Sequence, residues 1–355
     1  MQLLLAFGPV TAPDAGWFSE VNTRWPQAQL VYTSAGGQID GLDVLDAEVV
    51  LTGLAFDRAG VRAYSRDGAG VVPCAVLGRQ LGEDISADPS VRHVLLFLDG
   101  LHINGASFAA AFSAALPRGV TVSGGLASDG VSFAKTAIGL NGPPSERRIV
   151  AVALSGDSLV IGTGSAGGWE PFGPERTVTR ATGTTVFELD DQRALDIYRR
   201  YLGDLASELP GSALLFPLSM IPPDGGPMVV RTILGIDEKE GSLRFAGDVP
   251  MGYRVRLMRS TNDSILDGAT LAAEQARQAM GDVAPSAMLC VSCIGRRGVL
   301  RSRIEEEVEE VSQSTPGVIV TGYYSNGEIA PPFGATDGIA LLHNQTMTIT
   351  AIGER

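Results

Sequence analysis

Gly322–Tyr323–Tyr324–Ser325–Asn326–Gly327–Glu328 and, far upstream, Gly125–Leu126–Ala127–Ser128–Asp129–Gly130 carry one signature. Each follows a short apolar run, Val318–Thr321 in one case and Val120–Ser123 in the other. Each then places Ser, Asp or Asn, and Gly where the run ends. Asp-Gly and Asn-Gly accept positive φ, so both signatures read as tight turns just past a strand end.

The flanking elements repeat as well. Upstream of the first signature lie an apolar run Val94–Leu98 and a helical pattern Ala106–Leu116; upstream of the second lie Met288–Ser292 and Arg301–Ser314. Both signatures lead into further apolar runs, Thr136–Leu140 and Ile149–Leu154 in one unit, Ile339–Leu342 and Met347–Ile352 in the other. A weaker echo, Thr33–Ser34–Ala35–Gly36–Gly37, follows the run Gln29–Tyr32.

Other strand-like runs, at Leu3–Phe7, Glu48–Phe56, Leu159–Thr163, Ala213–Pro217, Met228–Leu234 and Gly338–Leu342, outnumber helical patterns at Gly16–Arg24, Gln192–Leu202 and Ser264–Met280. Asp14 and Ser264 read as N-caps and Gly281 as a C-terminal stop. The expectation is an α/β fold with mixed α+β layers: two similar halves, strand-rich mixed sheets flanked by helices, and an internal duplication. The Gly/Pro-rich stretch Gly164–Pro174 reads as a crossing segment, dividing the chain into domains 1–180 and 181–355.

The bulk numbers narrow the function. A formal charge of −13 over 355 residues, with lysine only at 135 and 239, argues against nucleic acid or an anionic membrane as partner. Cys74, Cys290 and Cys293 lack zinc-site spacing, and the apolar start stops at Pro9 without a basic leader, so a reducing, cytoplasmic setting is expected. Gly162–Gly167 faintly echoes a dinucleotide loop, but Trp169–Pro174 cannot continue as the helix such a loop needs.

Cys290–Val–Ser–Cys293–Ile–Gly295–Arg296, Glu305–Glu306–Glu307, the 322–329 signature and Leu342–Thr348 together resemble the C-terminal FIST domain (F-box and intracellular signal transduction). Gly124–Gly130 and Gly164–Trp169 resemble its N-terminal partner domain. The resemblance implies a sensory module that binds a small ligand, an amino acid or related metabolite, and signals to a protein such as a histidine kinase or a cyclic-dinucleotide enzyme. Some relatives are haem proteins that respond to nitric oxide and act on histidine kinases. F-box relatives suggest an interaction scaffold as a further alternative.

Two equivalent strand ends converging on one cleft would place Ser128, Asp129, Gly130, Tyr323, Ser325 and Asn326 around a ligand. Glu328, in an apolar stretch, needs a partner: a ligand cation or an internal arginine. Arg296 and Arg297 are candidates for that partner, or for a ligand carboxylate. If haem binds, His343, His93 or His102 is the axial ligand; otherwise no cofactor or metal is expected. Cys293 reads as a core cysteine, and Cys290 and Cys293, three apart on a strand, face opposite ways. The enzymatic alternative, a hydrolase using Cys293, Ser128 or Ser325, lacks a GxSxG signature. The run Glu305–Glu310 reads as a solvated helix face.

Overall fold

The computed structural model describes residues 1–11, 13–68, 72–332 and 339–355. The first segment of the fold contains β1 (Leu3–Gly8), α1 (Ala15–Arg24), β2 (Gln29–Ser34), β3 (Gln38–Asp40), β4 (Asp43–Leu45), β5 (Val50–Leu54) and β6 (Gly60–Asp67). After α2 (Cys74–Ser86), a second unit follows the same order with β7 (Val91–Leu98), α3 (Gly105–Ala115), β8 (Thr121–Leu126), β9 (Ile138–Leu140), β10 (Arg148–Ser155) and β11 (Leu159–Ala166).

A separate sheet comes next: β12 (Glu170–Thr182), β13 (Thr185–Leu189), β14 (Gln192–Arg193), α4 (Ala194–Leu202), β15 (Leu218–Ile221), β16 (Val229–Arg231), β17 (Ile233–Asp237), β18 (Ser242–Phe245) and β19 (Arg254–Arg259). Then α5 (Asn262–Ala279) leads to the last unit: β20 (Ala287–Cys293), α6 (Ile294–Leu300), α7 (Ile304–Ser314), β21 (Ile319–Ser325), β22 (Glu328–Ala330), β23 (Leu341–His343) and β24 (Met347–Glu354).

The fold is mixed α/β with strand-rich sheets, as the patterning predicts, and the repeat runs to three units. Each unit opens with a parallel pair, β1–β2, β7–β8 and β20–β21. The first strand of each pair has an antiparallel neighbour, β5, β10 and β24 respectively. The second strand takes its outer neighbour from another unit: β9 beside β2, β22 beside β8, and β3 beside β21. The units are therefore locked in a closed three-membered exchange.

The paired strands are apolar along their whole length because both faces are covered. Leu5, Leu95 and Leu289 meet in one central core with Phe7, Phe97, Val291 and Tyr323. Tyr323 stacks on Phe7 at 4.9 Å between ring centroids, filling space beside Gly125, where a Cβ would lie 2.6 Å from the Val291 side chain. The 170–259 sheet has its own core around Val178, Tyr198, Leu243 and Leu257.

Several local expectations are corrected. Ala213–Leu215 is a 3₁₀ turn rather than a strand, and the supposed crossing segment 164–174 contributes to β11 and β12. The α5 cap is Thr261, with Ser264 completing a capping box from the third helical position; Asp14 caps α1 as read. The expected strand Gly338–Leu342 begins outside the described residues, and Leu341–His343 form β23.

Helices α2 and α6 are missed because glycines interrupt their periodicity. In α2 the glycines serve contact: a Cβ on Gly78 would lie 2.5 Å from the Phe108 carbonyl, so α2 rests directly on α3. Glu307 breaks the solvated-face reading, since it is fully buried.

Candidate functional site

The carboxyl ends of the three parallel pairs meet at the centre, where open α/β sheets place ligands. A ring of backbone hydrogen bonds closes there: Gly36 N–H donates to Tyr324 O (2.8 Å), Ser128 N–H to Ser34 O (2.9 Å) and Asn326 N–H to Leu126 O (3.3 Å). A second set answers it, with Tyr324 N–H donating to Gly37 O, Leu126 N–H to Gly327 O and Ser34 N–H to Ala137 O.

The ring makes Gly36, Ser128 and Asn326 equivalent. The two Ser–Asx–Gly triplets are thus offset by one residue, and Ser128 matches Asn326 rather than Ser325. These positions touch. Gly130 N–H donates to Ser128 Oγ (3.1 Å), whose hydroxyl donates to Asn326 Oδ1 (2.7 Å). A Cβ at Gly36 would lie 2.9 Å from that same Oγ, so glycine is what lets the turns close up.

Two clefts flank the ring. The first, of about 430 Å³, draws residues from all three units: Pro9–Thr11 and Gly36, Asp129–Ser132, and Ile294 with Arg297. The Asp129 carboxylate is turned into its own loop, accepting from Phe133, Ala134 and Lys135 N–H at 2.7–3.0 Å. At this cleft Arg297 forms a fork with Asp46 (2.5 and 2.9 Å) and also donates to the carbonyl of Gly36, whose N–H belongs to the ring. That pairing raises the Arg297 pKa and lowers that of Asp46. The second cleft, of about 480 Å³, lies between the second unit and the 170–259 sheet, with Asn326 at its inner wall.

Of the residues singled out from sequence, Asp129 and Gly130 line the first cleft and Asn326 the second, while Ser128 joins the turns between them. Arg296, Tyr323, Ser325 and Glu328 line neither. Arg296 is wholly buried against Glu307 (2.6 Å) and donates to the carbonyls of Gly167 and Ile265. Ser292 and Tyr324 hydroxyls donate to the other Glu307 oxygen. Glu328 has neither arginine as an ion-pair partner; it accepts from Ser325 Oγ (2.7 Å) and from Thr346 N–H and Oγ1. Burial raises its pKa to about 7, although those hydrogen bonds oppose the shift. The sequence reading missed Asp46 and the second cleft's Arg244, exposed residues with no motif around them.

The histidines divide. His93 is buried with its ring nitrogens on Thr121 Oγ1 and Ser123 Oγ (2.7 and 2.9 Å), and desolvation lowers its pKa to about 3. His343 is buried with Nε2 on the Ala330 carbonyl, its pKa lowered to about 4 by the same cause. Both ring nitrogens of His93 are thus engaged, and of His343 the Nε2 is. His102, held through Nδ1 by Asp99, is the histidine that lines a cleft, the second one. None of the three hydrogen-bonds to Ser128, Ser325 or Cys293 among the described residues, and burial pushes the Cys293 thiol well up. Among the described residues no group of three or more His, Cys, Asp or Glu could hold a metal, and no helix is long and apolar enough to cross a membrane.

Among solved structures, cyanuric acid hydrolase from A. caulinodans is similar over 84% of this chain and 99% of that one, at 11% identity and a TM-score of 0.19, which carries no argument. No curated protein matches the chain. Family models do match: the FIST N domain over residues 2–192 and the FIST C domain over residues 194–331. FIST domains are sensory domains of signal transduction. With both halves matched in order, the chain belongs to the FIST family.

Proposed function

We propose that this chain is a sensor whose first cleft takes a small zwitterion, an amino acid or related metabolite. The observation that carries this reading is the Arg297–Asp46 pair beside a cleft built from all three units. A half-exposed ion pair contributes at most about 1 kcal/mol. A ligand carboxylate can therefore take the guanidinium fork while the ligand ammonium meets Asp46. Val10, Val131 and Ile294 offer apolar surface to its side chain.

Arg297 also holds the carbonyl of Gly36, a residue whose N–H closes the ring. Exchanging Asp46 for a ligand would alter that tie and bias the packing of the units, a difference that a histidine kinase or cyclic-dinucleotide enzyme would read as a population shift. Thermal-shift and calorimetric screening of the twenty amino acids tests the idea. One chemical class should raise the melting temperature, and Arg297→Gln should abolish that rise. Absence of binding by every amino acid would refute it.

A further inference from the structure

Arg297 has more than Asp46 to hold it at the first cleft. Its guanidinium carbon lies 5.8 Å from the centroid of the Tyr324 ring, within the range over which an aromatic face attracts a cation. The group also meets Gly37, where a Cβ would come 2.6 Å from Nη1 and 3.1 Å from Tyr324 Cδ2. Room for the guanidinium beside the ring therefore exists because residue 37 has no side chain.

The ring itself is fixed. Tyr324 is fully buried in β21, in one core cluster with Ile39 and Ile294. Its backbone brackets the glycine pair, accepting from Gly36 N–H (2.8 Å) and donating to Gly37 O (2.9 Å). Its hydroxyl donates to Glu307 Oε2 (2.7 Å), an oxygen that Ser292 Oγ also reaches (3.0 Å), while Arg296 holds Oε1. Burial and the Glu307 carboxylate push the Tyr324 pKa well up, so the hydroxyl remains a donor. A side chain tied at its backbone and at its hydroxyl keeps one orientation.

The consequence concerns the exchange of Asp46 for a ligand. Asp46 is 67% exposed and occupies the N–H fork of Arg297, whereas the ring attracts the cation as a whole. The two contacts do not compete, so the ring keeps its hold when the fork is vacated. A guanidinium left with neither would regain rotamer freedom that a ligand would then have to remove.

We infer that Tyr324 is a positioning residue of the first cleft: anchored by Glu307, its ring keeps the Arg297 guanidinium in place when Asp46 gives way to a ligand carboxylate. Its effect on affinity rests on the amino-acid reading of that cleft; its effect on the guanidinium rests on the contacts alone.

Two measurements on the full chain separate these. With ¹⁵N-labelled arginine, the Arg297 Nε–H signal, identified by its absence from Arg297→Gln, should be displaced by the Tyr324 ring current. Tyr324→Leu should move it to the position of a free guanidinium, and Tyr324→Phe, which keeps the ring and loses the anchor, should retain most of the displacement. Calorimetric titration with each of the twenty amino acids should find the binding class weakened about tenfold in Tyr324→Leu and about threefold or less in Tyr324→Phe. An undisplaced Arg297 signal in the wild type, wild-type affinity in Tyr324→Leu, or a loss in Tyr324→Phe as large as in Tyr324→Leu would each overturn the inference. A signal that moves as described, in a protein that binds no amino acid, would uphold the contact and refute the amino-acid reading.

Discussion

Arg296 and Arg297 are neighbours in sequence and opposites in situation. Arg296 and its partner Glu307 are both 0% exposed, and each is fully engaged by hydrogen bonds. Arg297 is 25% exposed and its partner Asp46 67%. One pair holds α6 and α7 to β20 and β21; the other stands beside a cleft and can be exchanged. The lesson is that a motif such as Ile–Gly–Arg–Arg does not tell a structural cation from a functional one. Burial does, because breaking a buried pair strands a charge, whereas water accepts the freed partner of an exposed one.

The largest effect should come from stranding Arg296. Glu307→Ala is expected to cost about 3–5 kcal/mol in urea unfolding, and the double change Arg296→Met with Glu307→Leu to recover much of it. A double variant as unstable as the single one would mean that the ion pair itself, and not the uncompensated charge, dominates.

Glu328 extends the comparison to a buried acid with no arginine. Its folded pKa, about 7, lies above the 4.5 of an ordinary glutamate. Between these values the folded state holds a proton that the unfolded chain has lost, so this group's contribution is fully present below about pH 4.5 and is lost as pH rises through 7. The expected loss is about 3 kcal/mol, at 1.36 kcal/mol per pKa unit. His93 and His343, lowered from 6.5 to about 3 and 4, act in the opposite direction, adding stability as pH rises toward 6.5. Stability curves of wild type and Glu328→Gln should therefore diverge between pH 4.5 and 7, with the wild type losing ground. Parallel curves would contradict the assignment.

Arg297→Gln should shift stability by less than about 1 kcal/mol in the same urea assay, the mark of an exchangeable pair. Smaller still in energy, and sharp in readout, is thiol chemistry. Cys290 and Cys293 are buried with thiols pushed up by desolvation, while Cys74 is partly exposed. A native thiol titration should find Cys74 reacting first and the other two only on unfolding.

The sequence made parts of this legible and hid others for physical reasons. Strand runs such as Val94–Leu98 and Met288–Ser292 announced themselves because parallel strands covered on both faces are continuously apolar. The repeat was visible through its turns, where Asp-Gly and Asn-Gly are needed. The first unit showed only as a faint echo, since Gly36 replaces the polar ring residue found at Ser128 and Asn326. The exchange of β3, β9 and β22 left no sequence trace, because three-residue strands carry no period. Glu307 looked solvated in a run of glutamates, and only its meeting with Arg296, Ser292 and Tyr324 in space explains its burial.

The most direct test of the account is calorimetric titration of the amino acid found by screening into wild type, Arg297→Gln and Arg296→Lys. The account predicts that binding disappears in Arg297→Gln, which stays as stable as wild type, and persists in the folded fraction of Arg296→Lys, which is destabilised. Full affinity in Arg297→Gln would contradict it.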